Sequence, residues 1–327
     1  DGQILEEGIT EAGSLSSFIA AGTAYATHGV NTIPFFIYYS MFGFQRVGDL
    51  IWAGADSRVR GFLLGGTAGR TTLAGEGLQH QDGNSHVYSL CYPNCVSYDP
   101  AYAYELAVII QDGIRRMYHD GESIFYYLTV MNEQYAMPEM PKDAREGILK
   151  GMYRLKPAAD AKSKLRAQLF GSGAILNEVV AAQEILAKYG VAADVWSVTS
   201  YQELYRDGHA CERWNMLHPG EKPRVPYVTQ CLADAPGVFV AASDYLKVLP
   251  DSIDRWMPRH IRSLGTDGFG RSEDRQALRD FFEVDAKFVA IATLAELLKE
   301  GQIDVKVVQK AIKDLGVAVD KKDPAKA

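Results

Sequence analysis

Between Gly29 and Val130, short β-rich runs alternate with amphipathic stretches, and this alternation leaves the chain few folds to choose from. Runs at 32–39, 61–64, 95–98 and 124–130 carry the β-branched and aromatic residues of strands. Helical patterns lie around and between them at 11–27, 42–55, 85–90 and 101–118. Strands separated by helix-length segments pair in parallel through crossovers, so the pattern predicts a parallel sheet with helices on both faces. After a loop at 135–143 and a link near 157–164 the alternation resumes, with strands at 165–170, 194–199 and 238–242 and helices at 174–189 and 244–256. Apolar residues at helical spacing over 285–316, with Gly301 and Gly316 as stops, predict two closing helices. At 327 residues the chain exceeds the roughly 250–300 at which a single core stops growing. The expected fold class is therefore α/β, with two three-layer αβα domains at 1–155 and 156–327.

Charge and cysteine usage narrow the function classes. With 34 Lys+Arg against 41 Asp+Glu the net charge is −7, which argues against a nucleic-acid or anionic-membrane binder, since both need clustered positive charge. Cys91, Cys95, Cys211 and Cys231 are too few and too scattered for a disulfide framework; buried, unreactive thiols in a reducing, cytoplasmic compartment are expected. The longest apolar stretch, 288–298, is broken by Glu296 and falls short of the roughly 20 residues that span a bilayer. No membrane association is expected. The opening Asp1-Gly2-Gln3 has neither an initiator Met nor a secretory signal, and reads as part of something longer.

Two glycine-rich stretches fail as nucleotide loops. Gly171-Ser172-Gly173 lacks the third glycine of a dinucleotide motif, where Leu176 stands, and reads as a tight strand-to-helix turn. The segment from Gly65 to Thr71 has Leu64 at the first P-loop glycine position and Arg70 in place of the lysine.

The stretch 75–86 is the most informative, because loops after parallel strands lie at the carboxyl edge where α/β proteins place their sites. Glu76, His80, Asp82 and His86 suit a metal site, proton transfer near neutral pH, or a hydrogen-bonded loop without chemistry. Residues 38–46, at a strand end and helix start, hold Tyr39, Phe42 and Arg46; the aromatics fit either a core or a stacking surface for a flat ring. Glu11 opens a helix after Ile9, where the helix dipole favours a carboxylate whether or not it faces a site.

Six blocks, taken in order, carry a resemblance: GQILEEGI at 2–9, IYYSMFGFQR at 37–46, TLAGEGLQH at 72–80, DPAYAYE at 99–105, CERWNMLHP at 211–219 and LGTDGFGRS at 264–272. Together they resemble the pyruvate dehydrogenase E1 family of the homodimeric bacterial type, which are thiamine-diphosphate enzymes. The resemblance implies a pyrimidine-binding middle domain followed by a transketolase carboxyl-terminal-like domain. It also implies that the amino-terminal domain, which grips the diphosphate through Mg²⁺, is absent from this chain. Position by position, Glu11 matches the glutamate that hydrogen-bonds the pyrimidine N1′ and tunes the cofactor for proton transfer. Phe42 matches the stacking aromatic, and Ile9 the side chain that props the bent cofactor. Tyr39, Glu76 and His80 match the substrate end, and Arg46 lies close enough to join the cofactor contacts. Asp82 and His86 carry no implied role beyond loop structure.

The implied activity is oxidative decarboxylation of pyruvate with acetyl transfer to the lipoyl domain of the acetyltransferase (E2) component, in a homodimer whose site lies between subunits. This half is expected to be inactive alone, with apolar dimer contacts from the aromatic segments 98–104 and 126–135. Two other readings stay open: a related 2-oxo acid or ketose enzyme using the same cofactor, and a non-catalytic α/β scaffold for complex assembly. A scaffold has no need of a carboxylate, a stacking ring and an imidazole on separate loops of one sheet edge.

Overall fold

Thr10 caps the first helix, α1 (Glu11–Thr27), its hydroxyl accepting from the Gly13 N–H at 3.3 Å. In the computed structural model, which describes residues 3–160 and 162–327, seven more elements follow through the first half of the chain. They are β1 (Phe35–Tyr39), α2 (Phe44–Asp56), β2 (Phe62–Gly66), α3 (Ser85–Ser89), β3 (Cys95–Tyr98), α4 (Ala103–Ile114) and β4 (Phe125–Thr129). The four strands form one all-parallel sheet in the order β1-β2-β4-β3. Gly2, in the first resemblance block, lies outside the described residues, as does Ala161 in the link.

Alternate side chains of each strand leave opposite faces, and both faces of this sheet are apolar. Leu63, Phe125 and Tyr127 pack with Leu15 and Phe18 of α1 and Ile51 of α2. Phe62, Tyr126 and Leu128 pack on the other face with Val108 and Ile109 of α4. Three layers result.

The second half opens with α5 (Ala144–Lys150) and continues through β5 (Met152–Lys156), β6 (Arg166–Gly171), α6 (Ile175–Ala187), β7 (Ala192–Val198), α7 (Tyr201–Leu217), α8 (Tyr227–Leu232) and β8 (Val238–Ala242). It closes with α9 (Val248–Asp251), β9 (Ile261–Leu264), α10 (Arg275–Phe282), α11 (Ala286–Lys299) and α12 (Val305–Asp314). Its sheet has the order β5-β7-β6-β8-β9, parallel except for β5 on the edge. Leu169, Val195 and Val240 face α6 and α11, and Phe170, Trp196 and Phe239 face Leu204 of α7. The expected pair of three-layer α/β units is therefore what the chain forms. The two closing helices are α11 and α12. The division drawn at 155/156 falls within β5, whose pairing with β7 places residues 152–156 in the second sheet.

Several local expectations give way to tertiary demands. The helix expected over 244–256 is broken into the short α9 and a 3-10 turn at Asp254–Trp256. The backbone before α9 bonds across the molecule instead: Leu246 N–H donates to Gly83, and the Tyr245 carbonyl accepts from Thr266. Rings expected to supply dimer contacts are in the core, with Tyr98, Tyr102, Tyr126 and Tyr127 all buried. Cys95 and Cys211 are buried, as expected of inert thiols, and burial pushes the Cys95 thiol up to about 12; Cys91 departs from that expectation and is exposed. No described helix is long and apolar enough to cross a membrane.

Candidate active site

The carboxyl end of β1 delivers Tyr39 and turns at once into a 3-10 segment, Ser40–Phe42, before α2 begins. Gly43 makes this turn possible, because a Cβ there would stand 2.2 Å from the Tyr38 ring beneath it. A second 3-10 segment, Leu78–His80, lies between β2 and α3 and brings His80 to the same place. The Tyr39 and His80 ring centroids are 5.3 Å apart, those of Phe42 and His80 5.2 Å and those of Tyr39 and Phe42 6.2 Å, all edge-to-face.

Glu11 and Arg46 complete the cluster. Arg46, in the first turn of α2, lays its guanidinium 4.0 Å from the Phe42 centroid, and its Nη1 meets Glu11 Oε1 at 3.0 Å. Four elements thus converge on one surface: the start of α1, the end of β1, the start of α2 and the loop after β2. His80 Nδ1 is buried there without a hydrogen-bond partner.

Two of the predicted site residues stand apart from the ring cluster. Ile9 precedes α1 and is 100% exposed. Glu76 lies in the loop of His80 and is tied to the second unit through its backbone, its carbonyl accepting from Ser272 Oγ. Asp82 and His86 turn inward. Asp82 holds its own turn by accepting from the Asn84 and Ser85 N–H groups at 2.9 and 3.0 Å. His86 is enclosed between Ser97 Oγ at 2.7 Å and Thr129 Oγ1 at 3.0 Å, and burial pushes its pKa down to about 3. Glu76, His80, Asp82 and His86 therefore form no shared centre, and no metal-binding group of three His, Cys, Asp or Glu occurs among the described residues.

Residues 1–138 match the family model described as the pyruvate dehydrogenase E1 component middle domain, and residues 151–285 that of the transketolase-like C-terminal domain. The pyruvate dehydrogenase E1 component of Escherichia coli (strain K12) is 57% identical over 326 residues, covering 99% of this chain and 36% of the relative. That of Pseudomonas aeruginosa is 56% identical over 326 residues, covering 99% of this chain and 37% of the relative. The chain is similar to pyruvate dehydrogenase E1 components along nearly its whole length. It spans about a third of the length of the curated relatives it matches.

Among solved structures, a transketolase from Campylobacter jejuni superposes with a TM-score of 0.64 at 16% identity, over 85% of this chain and 38% of its own. A split-gene transketolase described as an inactive β4 tetramer superposes at 0.61 and 15% identity, over 89% of this chain and 83% of its own. Both show that the chain has the transketolase-like fold.

Sequence reasoning did not find the residues that hold the site loop. Arg70, which stands where a P-loop has lysine, is buried and donates to the Thr266 and Gly268 carbonyls. Gln81 accepts from the Arg271 N–H at 2.7 Å and donates to the Leu73 carbonyl at 3.0 Å. The available signal was LGTDGFGRS at 264–272, an irregular string with no catalytic side chain of its own.

Proposed function

We propose that this chain forms the pyrimidine side and substrate end of a thiamine-diphosphate site for oxidative decarboxylation of pyruvate. The observation that carries this reading is the convergence of Glu11, Phe42, Tyr39 and His80, from separate elements, on one surface at the sheet's carboxyl edge. A carboxylate, a stacking ring and an unpartnered imidazole nitrogen are the groups a planar, protonatable heterocycle and an oxygen-bearing substrate require. The residues present fit the pyrimidine half of the cofactor.

When bound, thiamine diphosphate supplies the acidic carbon and the electron sink for decarboxylation of a 2-oxo acid. Glu11 holds a proton at the pyrimidine N1′, Phe42 stacks on the ring once Arg46 swings off its face, and Ile9 props the cofactor. Tyr39 and His80 hold the carbonyl and carboxylate oxygens of pyruvate, and Glu76 extends the proton path. Mg²⁺ and the diphosphate are held by an amino-terminal domain outside this chain.

Exposed apolar residues along β1, Phe35 at 45%, Ile37 at 67% and Tyr39 at 43%, together with Ile9, support burial of this face against that domain of a partner subunit in a cytoplasmic homodimer. The split-gene transketolase of similar extent, inactive by its description, supports the expectation that this segment alone does not turn over. The acetyl group passes to the lipoyl domain of an E2 component.

The test is a chimera in which this sequence replaces the matching third of the Escherichia coli relative, compared with the segment alone. Calorimetric binding of thiamine diphosphate with Mg²⁺, together with pyruvate decarboxylation, is expected in the chimera alone. A folded chimera that binds no cofactor favours the scaffold reading, and one that binds it but prefers another 2-oxo acid or a ketose corrects the substrate.

A further inference from the structure

We propose that Asp244, at the carboxyl end of β8 in the second sheet, is a positioning residue for the loop 70–81 that carries Glu76 and His80. The proposal rests on the functional reading above for the roles of those two side chains.

Asp244 is 4% exposed, and its carboxylate is fully engaged by two adjacent residues of the first unit. Oδ1 accepts from the Thr71 N–H at 2.8 Å and Thr71 Oγ1 at 2.7 Å. Oδ2 accepts from the Thr72 N–H at 3.1 Å and Thr72 Oγ1 at 2.6 Å. Four donors occupy the four acceptor positions of one carboxylate, each bond strengthened by its charge. Gly69 permits the approach: it has φ +92°, and a Cβ there would stand 2.3 Å from Asp244 Oδ2.

Downstream of this clamp a second loop of the second unit, between β9 and α10, fastens the strand-to-helix loop on both sides of Glu76. The Arg275 Nε donates to the Thr72 carbonyl at 2.6 Å, and the Gly75 N–H to the Glu273 carbonyl at 3.2 Å. Ser272 Oγ donates to the Glu76 carbonyl, and the Arg271 N–H to Gln81 Oε1 at 2.7 Å. Glu11, Phe42 and Tyr39 come from α1 and the end of β1, which Asp244 does not touch. Loosening the clamp therefore acts on the substrate end and spares the cofactor end. A displacement of about 1 Å in a reacting group can lower a rate by about 10²-fold.

The experiment uses the full-length chimera with three sets of changes: Asp244→Asn, the pair Thr71→Val with Thr72→Val, and the pair Thr71→Ser with Thr72→Ser. Expected in Asp244→Asn are a fall in kcat/KM for pyruvate of about 10²-fold, a dissociation constant for thiamine diphosphate within about twofold of the parent, and faster amide exchange confined to 70–81. The valine pair should lose less, and the serine pair, which restores both hydroxyl donors, should return to the parent's kcat/KM. If Asp244→Asn does not fold, the valine and serine pairs decide. Unchanged kcat/KM in an active parent background overturns the proposal, as does a parallel loss of cofactor affinity and pyruvate turnover, which marks a merely structural role. An inactive parent overturns the functional reading and this proposal with it, and is read in a separate arm.

Discussion

The two sheets have nearly the same parallel build, yet their carboxyl edges do opposite things. The first sheet's edge is open at β1, where the rings of Tyr39, Phe42 and His80 meet beside the Glu11–Arg46 pair and Tyr39 is 43% exposed. The second sheet's edge is closed, because several of its polar groups are turned onto the first unit. Ser200 Oγ donates to the Ser97 carbonyl at 2.6 Å, the Gly173 N–H to the Asp99 carbonyl at 3.1 Å, and Asp244 holds Thr71 and Thr72. Topology alone therefore does not make a site. What matters is whether the groups at a strand end find protein partners.

The largest expected difference between the edges is at Glu11. In the chimera, Glu11→Gln keeps the side chain's shape and a hydrogen bond to Arg46 while removing the exchangeable carboxyl proton. Pyruvate turnover should fall by about 10²-fold or more, the range lost when a general acid or base is removed. Thermal stability should stay within about 0.5 kcal/mol, since the Glu11–Arg46 pair is partly exposed. Steady-state kinetics beside a melting curve check both, and retained turnover would remove the open edge from the chemistry.

Part of this contrast is readable in the sequence. The bounds of α1 are set by local chemistry, with Thr10 as cap and Glu11 in the first turn, so periodicity locates it. β3 and β8 are dense apolar runs and are found for the same reason. In contrast, α7 was missed because its charged residues blur the apolar stripe, although Ser200 with Glu203 three residues on is a capping signature. β5, an edge strand with Arg154 and Lys156, and β9, four residues long, carry too little pattern to register. Tyr39, Phe42 and His80 stand out in the sequence because their motifs are contiguous, and the structure brings their three rings together. Asp244 was not, since its partners lie 172 and 173 residues away and the chain around it reads as an ordinary helix start.

The seam between the edges also makes a pH prediction. His86 Nε2 lies 3.9 Å from Asp99 Oδ1, with Thr129 bonded to both. Burial holds the imidazole neutral, its pKa pushed down to about 3, and pushes the Asp99 carboxyl up to about 7 against the hydrogen bond from Thr129. Between about pH 4 and 6.5 the unfolded chain protonates the histidine and ionises the aspartate, whereas the folded chain does neither. The two contributions have opposite sign, so this pair leaves stability flat across that window. Asp99→Asn isolates His86: the unfolded state then binds the extra proton, and stability should rise with pH between about 3 and 6.5, by at most about 1.4 kcal/mol per pH unit. His86→Gln isolates Asp99, and stability should fall as pH rises from about 4 to 7. Denaturant titrations at several pH values read both slopes. Parallel slopes in the two variants would show that the groups do not oppose each other.

A smaller loss is expected at the closed edge from Ser200→Ala. The hydroxyl both accepts from the Glu203 N–H at 3.0 Å, capping α7, and bridges to Ser97. Its removal should cost about 1–2 kcal/mol in chemical denaturation. Because no ligand group is involved, kcat/KM for pyruvate should stay within about twofold, the reverse of the Glu11 result.

The smallest effect belongs to Arg46, which is where the open edge is provisionally closed. Its guanidinium covers the Phe42 face and pairs with Glu11, so both groups are engaged in the structure. A half-exposed ion pair and an exposed cation–π contact are together worth about 1 kcal/mol. On the function proposed above, displacing them lowers cofactor affinity by about that much, since affinity is reduced by whatever the free protein must give up. Arg46→Ala in the chimera should therefore bind thiamine diphosphate more tightly, by up to about fivefold, with stability lowered by no more than about 1 kcal/mol. Calorimetry on the two proteins decides the sign. Weaker binding would mean that Arg46 moves to the cofactor rather than away from it, and that the open edge holds its ligand with one charged group more than its resting geometry displays.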